Sequence, residues 1–79
     1  MQIKILGPGC ANCVKLEKNT RAALAALGKQ AEVVKVTDFP DIASYGILRT
    51  PGLVVDEEVL VSGRVPATDE IARLLQARA

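Results

Sequence analysis

The two cysteines of the chain, Cys10 and Cys13, lie where an apolar strand pattern gives way to a long helical pattern. Only Ala11 and Asn12 separate them, so a disulfide between them closes a very small loop. The stabilisation from a cross-link grows with the length of the loop that it closes, so this pair is poorly suited to holding a fold together. The spacing therefore indicates reversible thiol chemistry.

The residues on either side of the pair predict a strand followed by a helix. Ile3 and Ile5 alternate with polar residues, as in a half-buried strand that ends at Gly7-Pro8-Gly9. A helix is predicted over residues 10–27, with Gly28 as its stop. Its apolar stripe recurs at steps of three and four and comprises Cys13, Leu16, Thr20, Leu24 and Leu27.

Residues 31–36 are rich in β-branched side chains and predict a second strand. A strand-helix-strand crossover of this length normally produces a parallel pair. Asp38 is expected to cap a short helix with Pro40 and Asp41 in its first turn, which Gly46 closes after Tyr45.

The rest of the pattern predicts a hairpin and a final helix. Residues 53–55 and 58–61 read as two strands that turn at Asp56-Glu57. The last helix is expected to begin near Thr68, to bury Ile71, Leu74 and Leu75, and to have Arg78 near its end. The predicted order is βαβαββα, an α/β arrangement in a single domain over residues 1–79.

Composition excludes several classes of function. The 79 residues carry a formal net charge of +1 and are only 3% aromatic, so we expect neither nucleic acid nor membrane as a partner. The absence of histidine excludes Ser-His-Asp and Cys-His catalytic arrangements. The carboxylates are interpreted as solvated positions or helix caps; they are Glu17, Glu32, Asp56, Glu57 and Glu58. Without a recognisable leader or apolar span we expect a cytoplasmic protein, in which disulfides are usually transient.

The helix start makes the two thiols unequal. Cys10 faces unpaired backbone N–H groups and the positive end of the helix dipole, which favour its thiolate, so it is the expected nucleophile. Cys13 lies one turn further in, on the buried stripe, and is expected to resolve a mixed disulfide formed at Cys10. The alternative is a pair of reduced core cysteines, which the Gly-Pro-Gly turn disfavours.

The motif resembles that of small thioredoxin-like, glutaredoxin-sized redox proteins. It runs from Gly7-Pro8-Gly9-Cys10-Ala11-Asn12-Cys13 through the long helix to Thr50-Pro51 and Gly63, across essentially the whole chain. The resemblance implies a minimal thioredoxin fold, with a mixed four-stranded sheet flanked by three helices.

The resemblance also implies roles and partners. It implies a protein disulfide oxidoreductase with Cys10 attacking, Cys13 resolving, and Pro51 as a cis proline that faces the pair. Thr50 would offer its backbone to an extended substrate, while Pro8, Gly9, Ala11 and Asn12 form the supporting loop. We expect a monomer that needs no cofactor or metal, takes protein disulfides as substrates, and receives electrons from a reductase or a low-molecular-weight thiol.

A second resemblance leaves a metal-handling function open. A strand followed by Cys-x-x-Cys and a helix is also similar to heavy-metal-associated domains, and two soft thiolates can hold Cu(I). Those domains usually have methionine where this chain has Pro8, follow the order βαββαβ and end in a strand. The order of elements therefore discriminates between the two functions.

Overall fold

The secondary-structure elements of residues 1–77 follow the order βαβαββα, as predicted. These are the residues that the computed structural model describes, and Arg78 lies outside them. The strands are β1 (Gln2–Leu6), β2 (Glu32–Val36), β3 (Gly52–Val55) and β4 (Glu58–Ser62). The helices are α1 (Ala11–Leu27), α2 (Phe39–Ala43) and α3 (Thr68–Ala77).

The four strands form one mixed sheet in the order β2-β1-β3-β4. β1 and β2 are parallel, which confirms the crossover predicted from the sequence, and the other two pairs are antiparallel. The hairpin between β3 and β4 turns at Asp56 and Glu57, whose φ angles are 48° and 69°. Two consecutive positive φ values match the twist that a two-residue hairpin loop needs.

Helices cover both faces of the sheet. The larger core cluster joins side chains of the sheet to α1 and α3, including Ile3, Leu16 and Ile71. The smaller cluster packs α2 on the opposite face through Leu6, Ile42 and Val54. The alternation predicted for β1 is confirmed, because Ile3 and Ile5 are buried on the first face, and α2 with its flanking residues covers Leu6 completely on the second.

The structure places the ends of α1 and α2 slightly differently from the boundaries predicted from the sequence. Cys10 is the N-cap of α1 and precedes its first residue, Ala11. Asp38 occupies the N-cap position of α2 in an extended conformation, but its side chain makes no capping hydrogen bond, contrary to the prediction. α2 ends at Ala43, and Gly46 lies beyond it in a turn in which its N–H donates to the carbonyl of Ala43.

Within residues 1–77, no helix combines the length and the apolar character needed to cross a membrane.

Candidate active site

Cys10 is presented to solvent by the turn that joins β1 to α1. Gly9 has a φ of 92°, a conformation that residues with a Cβ rarely adopt, and it directs the chain into the helix. At the N-cap the Cys10 Sγ accepts a hydrogen bond from the backbone N–H of Cys13 at 3.2 Å. The exposed sulfur is thus held at the positive end of a 17-residue helix.

Cys13 lies one turn further along α1 and is only 5% exposed. It shares the buried face of the helix with Leu16 and Thr20. The two cysteines form a disulfide within the chain, with their Cα atoms 5.0 Å apart. The structure therefore brings together one accessible and one buried sulfur, as the helical pattern predicts.

Gly7 packs directly against the Cys13 sulfur. A Cβ added at Gly7 would overlap the Sγ of Cys13 and would lie 3.8 Å from the Cβ of Thr50. The Thr50-Pro51 peptide bond is cis, as the resemblance implies. Pro51 is buried and its carbonyl accepts a hydrogen bond of 2.8 Å from the N–H of Gly63. The loop before β3 therefore lies next to the turn between β1 and α1, at Gly7.

The remaining residues of the predicted supporting loop surround Cys10 at the surface. Pro8, Gly9, Ala11 and Asn12 are all exposed. None of them carries a charge, so the helix terminus dominates the local electrostatics on the solvent side of Cys10.

A small cavity beside Cys13 is lined by two charged residues that the sequence interpretation did not include in the site. Its volume is about 40 Å³, and its lining comprises Ile5, Gly9, Cys13, Val14, Glu17 and Lys35. Glu17 accepts from Lys35 at 3.1 Å and from Arg21 at 3.0 Å. Its side chain is only 17% exposed, so its interpretation as a solvated carboxylate is wrong. The hydrogen bond from Lys35, reinforced by Arg21, lowers the pKa of Glu17 below its ordinary value.

One of these two charged residues has a signal in the sequence. Glu17 follows Cys13 by four positions, and residues at that spacing share a helix face. Lys35 is brought to the cavity by the parallel pairing of β2 with β1, in which it lies opposite Ile5. A position on one strand does not reveal that partner until the register of the pair is known.

An open groove of about 230 Å³ reaches Thr50 from the side of α2. Two of its apolar side chains are exposed, Phe39 by 69% and Leu48 by 100%. Arg49 also lines the groove. Its other lining residues are Ile42, Ala43 and Ile47. The groove thus offers apolar surface and one cation beside the loop that contains the cis bond.

The fold does not favour the metal-handling alternative. The observed order is βαβαββα, and its last described element is a helix, whereas heavy-metal-associated domains follow βαββαβ. Within the described part of the chain, no three His, Cys, Asp or Glu side chains are grouped so that they could hold a metal ion.

Comparisons with known proteins agree with the geometry. Residues 1–76 match the sequence model of a family described as the thioredoxin domain. A thioredoxin of Methanothermobacter thermautotrophicus is 45% identical over 75 residues, which cover 95% of this chain and 97% of the relative. A thioredoxin of Methanocaldococcus jannaschii is 37% identical over 75 residues, which cover 95% of this chain and 86% of the relative.

Proposed function

Because this chain belongs to the thioredoxin domain family, we propose that Cys10 is the attacking thiol and Cys13 the resolving thiol of a single domain spanning residues 1–79. The chain is a thiol-disulfide oxidoreductase. The observation that supports these roles is the inequality of the sulfurs. Cys10 is exposed at the start of α1, whereas Cys13 is 5% exposed.

Attack begins at Cys10 because its thiolate is the more stable and the more accessible. In the disulfide form its Sγ already accepts from the N–H of Cys13, and a thiolate at the same place is a stronger acceptor. The dipole of α1 adds to this stabilisation. A helix N-terminus lowers the pKa of a cysteine thiol, so reduced Cys10 is partly ionised where an ordinary cysteine is protonated.

The exchange then proceeds in two displacements. The Cys10 thiolate attacks one sulfur of a substrate disulfide, forms a mixed disulfide and releases the other substrate sulfur as a thiolate. Cys13 attacks Cys10 next, which releases the second substrate sulfur and forms the intramolecular disulfide. Each displacement forms one S–S bond and breaks one, so no cofactor is needed.

Protein disulfides are the substrate class that fits the surroundings of Cys10. An extended segment can lie in the groove beside Thr50, with apolar side chains against Phe39 and Leu48. The backbone of Thr50, next to Pro51, is available to align that segment. Thioredoxins generally reduce protein disulfides, and the same substrate class is assigned here.

The cycle needs a source of electrons after each turnover. A reductase or a low-molecular-weight thiol would reduce the Cys10–Cys13 disulfide by the same exchange chemistry. We assign this cycle to a monomer in the cytoplasm, where reducing thiols keep such a pair turning over.

Trapping of the mixed disulfide tests the two roles. Cys13→Ser should accumulate a covalent complex with a disulfide-containing protein, because attack at Cys10 remains while the resolving thiol is gone. Cys10→Ser is the matched control and should form none. The complex is detected by non-reducing electrophoresis and mass spectrometry.

Alkylation of the reduced protein checks the same assignment without a substrate. At mildly acidic pH, well below the ordinary thiol pKa of about 8.5, iodoacetamide should label Cys10 before Cys13. Equal labelling rates would contradict the assignment. Trapping by Cys10→Ser alone would exchange the two roles.

A further inference from the structure

Arg49 is the charged residue of the groove that leads to Thr50, whose other lining residues are uncharged. It also lines a second open cavity of about 460 Å³ on the side of β4, where the remaining lining residues again have no charge. Residues 47–49 are common to both linings, so this segment separates the groove from the cavity. A polypeptide that lies beside Thr50 therefore meets one positive charge.

The side chain of Arg49 is packed against the backbone of Gly63. A Cβ added at Gly63 would lie 3.1 Å from the Cβ of Arg49 and 3.5 Å from its Cδ, so the aliphatic part of the arginine runs along this glycine. The N–H of Gly63 in turn donates to the carbonyl of Pro51. The aliphatic part of Arg49 thus rests on a residue that is hydrogen-bonded to the cis proline, which limits the positions that the guanidinium group can take.

Within residues 1–77, the guanidinium group of Arg49 has no ion-pair partner. Carboxylates do pair with several other cations of this part of the chain, namely Lys4, Arg21, Lys35, Arg64 and Arg73. The acidic residues at α2, Asp38 and Asp41, do not line the groove. The planar fork of donors on Arg49 is therefore available to a carboxylate of another molecule.

Arg49 is close enough to the redox pair to contact a substrate that reacts there. It directly precedes Thr50, and the Cβ of Thr50 and the sulfur of Cys13 both lie within 4 Å of the position that a Cβ at Gly7 would occupy. Consecutive Cα atoms are about 3.8 Å apart, so residues next to a cysteine that is bonded to Cys10 come within reach of the arginine. Side chains of an extended segment alternate between two faces, so only some of these positions can point towards it.

We propose that Arg49 determines substrate specificity by favouring protein disulfides in which an acidic side chain lies within two residues of the cysteine that Cys10 attacks. The proposal rests on the proposed function, in which Cys10 attacks protein disulfides. The guanidinium group binds the carboxylate, while apolar side chains of the same segment contact Phe39 and Leu48. The carboxylate takes no part in the bond changes. The Cys10 thiolate forms the new S–S bond, and the other substrate sulfur leaves with the electron pair.

Short peptides with one cysteine, activated as a neutral pyridyl disulfide, test this preference. Attack by Cys10 on the peptide sulfur releases pyridinethione, whose absorbance reports the rate of that step. Each peptide has Glu, Gln or Lys at one of the two positions before or the two positions after the cysteine. The rate with the reduced protein is divided by the rate with dithiothreitol, which removes differences in the intrinsic reactivity of the peptides.

The wild type should react faster with the Glu peptide than with the Gln peptide at one or more of these positions, and slowest with the Lys peptide. The expected ratio of Glu to Gln is about twofold to fivefold, the range of an exposed ion pair. This ratio should decrease as salt is added, because salt screens a pair at the surface.

Arg49→Met retains the length of the aliphatic side chain without the charge and should lose most of the preference for Glu. Arg49→Lys should retain much of it, and Arg49→Glu should favour the Lys peptide instead. Each ratio is measured within one variant, so an effect of the substitution on the Cys10 thiol cancels. Lys29→Gln is the matched control, since it removes a cation beyond the far end of α1, and it should keep the wild-type ratio.

Three results would overturn the proposal. The first is equal rates of the wild type with the Glu, Gln and Lys peptides at every position. The second is a preference that survives in Arg49→Met, as attraction to Lys15, Lys18 or the helix terminus would produce. The third is an equal loss of preference in Lys29→Gln, as an effect of net charge would produce. Failure of the proposed function looks different, because no peptide would then release pyridinethione from the wild type, or the release would survive Cys10→Ser.

Discussion

At the scale of single residues, the environment of the Cys13 sulfur depends on neighbours outside the Cys-x-x-Cys motif. Gly7, which directly follows β1, lets the backbone lie against the sulfur because it has no side chain. Glu17 and Lys35 are the charged residues of the cavity that Cys13 also lines. The motif places the two sulfurs. Gly7 determines the room beside the buried sulfur, and Glu17 and Lys35 are the charged groups of the cavity next to it.

Gly7→Ala should destabilise the oxidised protein by about 1–3 kcal/mol, the usual cost of overpacking a filled site. The added Cβ would overlap Cys13 Sγ, which the disulfide holds in place. In the reduced protein this sulfur can rotate away, so the loss should be smaller. Urea unfolding of both redox forms measures the difference.

Gly52→Ala is the matched control for that change. Its added Cβ would lie 2.9 Å from the flexible end of the Ile47 side chain, which can move in either redox state. The control should therefore lose similar stability in both forms. A redox-dependent loss in Gly52→Ala, or none in Gly7→Ala, would contradict the assigned contact.

The Glu17 ion pairs should make the free energy of unfolding depend on pH in the acidic range. The pKa of Glu17 is lowered in the folded protein, chiefly by Lys35, so the unfolded chain binds a proton here more readily than the folded one. The resulting stability is present above the unfolded pKa of about 4.3 and is lost as pH falls through the lower folded value. Glu17→Gln should thus be less stable than wild type at neutral pH, and the two unfolding curves should converge at acid pH. Parallel curves in urea titrations over this range would refute the effect.

At the scale of elements, α1 contributes both to the core and to the site that holds the two cysteines. Its first turn holds Cys10, its buried face includes Cys13 and Leu16, and its end is closed by Gly28. Gly28 has a φ of 65°, and its N–H donates to the carbonyls of Leu24 and Ala25. The helix is therefore terminated by a left-handed residue whose conformation favours glycine.

Gly28→Ala should lower the free energy of unfolding by about 1 kcal/mol. No atom lies within 4 Å of the added Cβ, so the loss comes from backbone conformation alone. Gly28→Asn should lose less, because asparagine tolerates the left-handed region better. Thermal unfolding ranks the three proteins, and equal stability of wild type and Gly28→Ala would contradict this interpretation. The labelling order of the cysteines, at the other end of the helix, should not change.

At the scale of the whole molecule, two core clusters on opposite faces of one sheet hold the chain together. The face with α1 and α3 is the larger, and Leu75 of α3 is fully buried within it. The two most exposed of the large apolar side chains described, Phe39 and Leu48, lie elsewhere, beside the groove. The buried residues that stabilise the fold are thus distinct from the exposed groove residues that we propose contact substrate.

Leu75→Ala should cost about 2–5 kcal/mol, because it removes buried contacts and leaves a cavity. Leu48→Ala is the matched control, since the Leu48 side chain is 100% exposed, and should change stability by no more than about 0.5 kcal/mol. Denaturant midpoints distinguish the two variants. Similar losses would show that the groove residues belong to the core.

The amino-acid sequence by itself determined the order of the elements and the inequality of the two thiols. Both depend on local pattern, because apolar periodicity and glycine turns mark each element, and the turn before α1 places Cys10 and Cys13 at its start. The resemblance added the cis bond at Thr50-Pro51, which local pattern does not indicate.

Only the tertiary structure decided which residues surround the buried sulfur and which strand faces are covered. Glu17 meets Lys35 because β2 pairs with β1 in one particular register, and Leu6 is buried because α2 crosses the second face of the sheet. These contacts join positions far apart in the chain. Their formation depends on packing and register, which no local pattern of apolar and polar residues specifies.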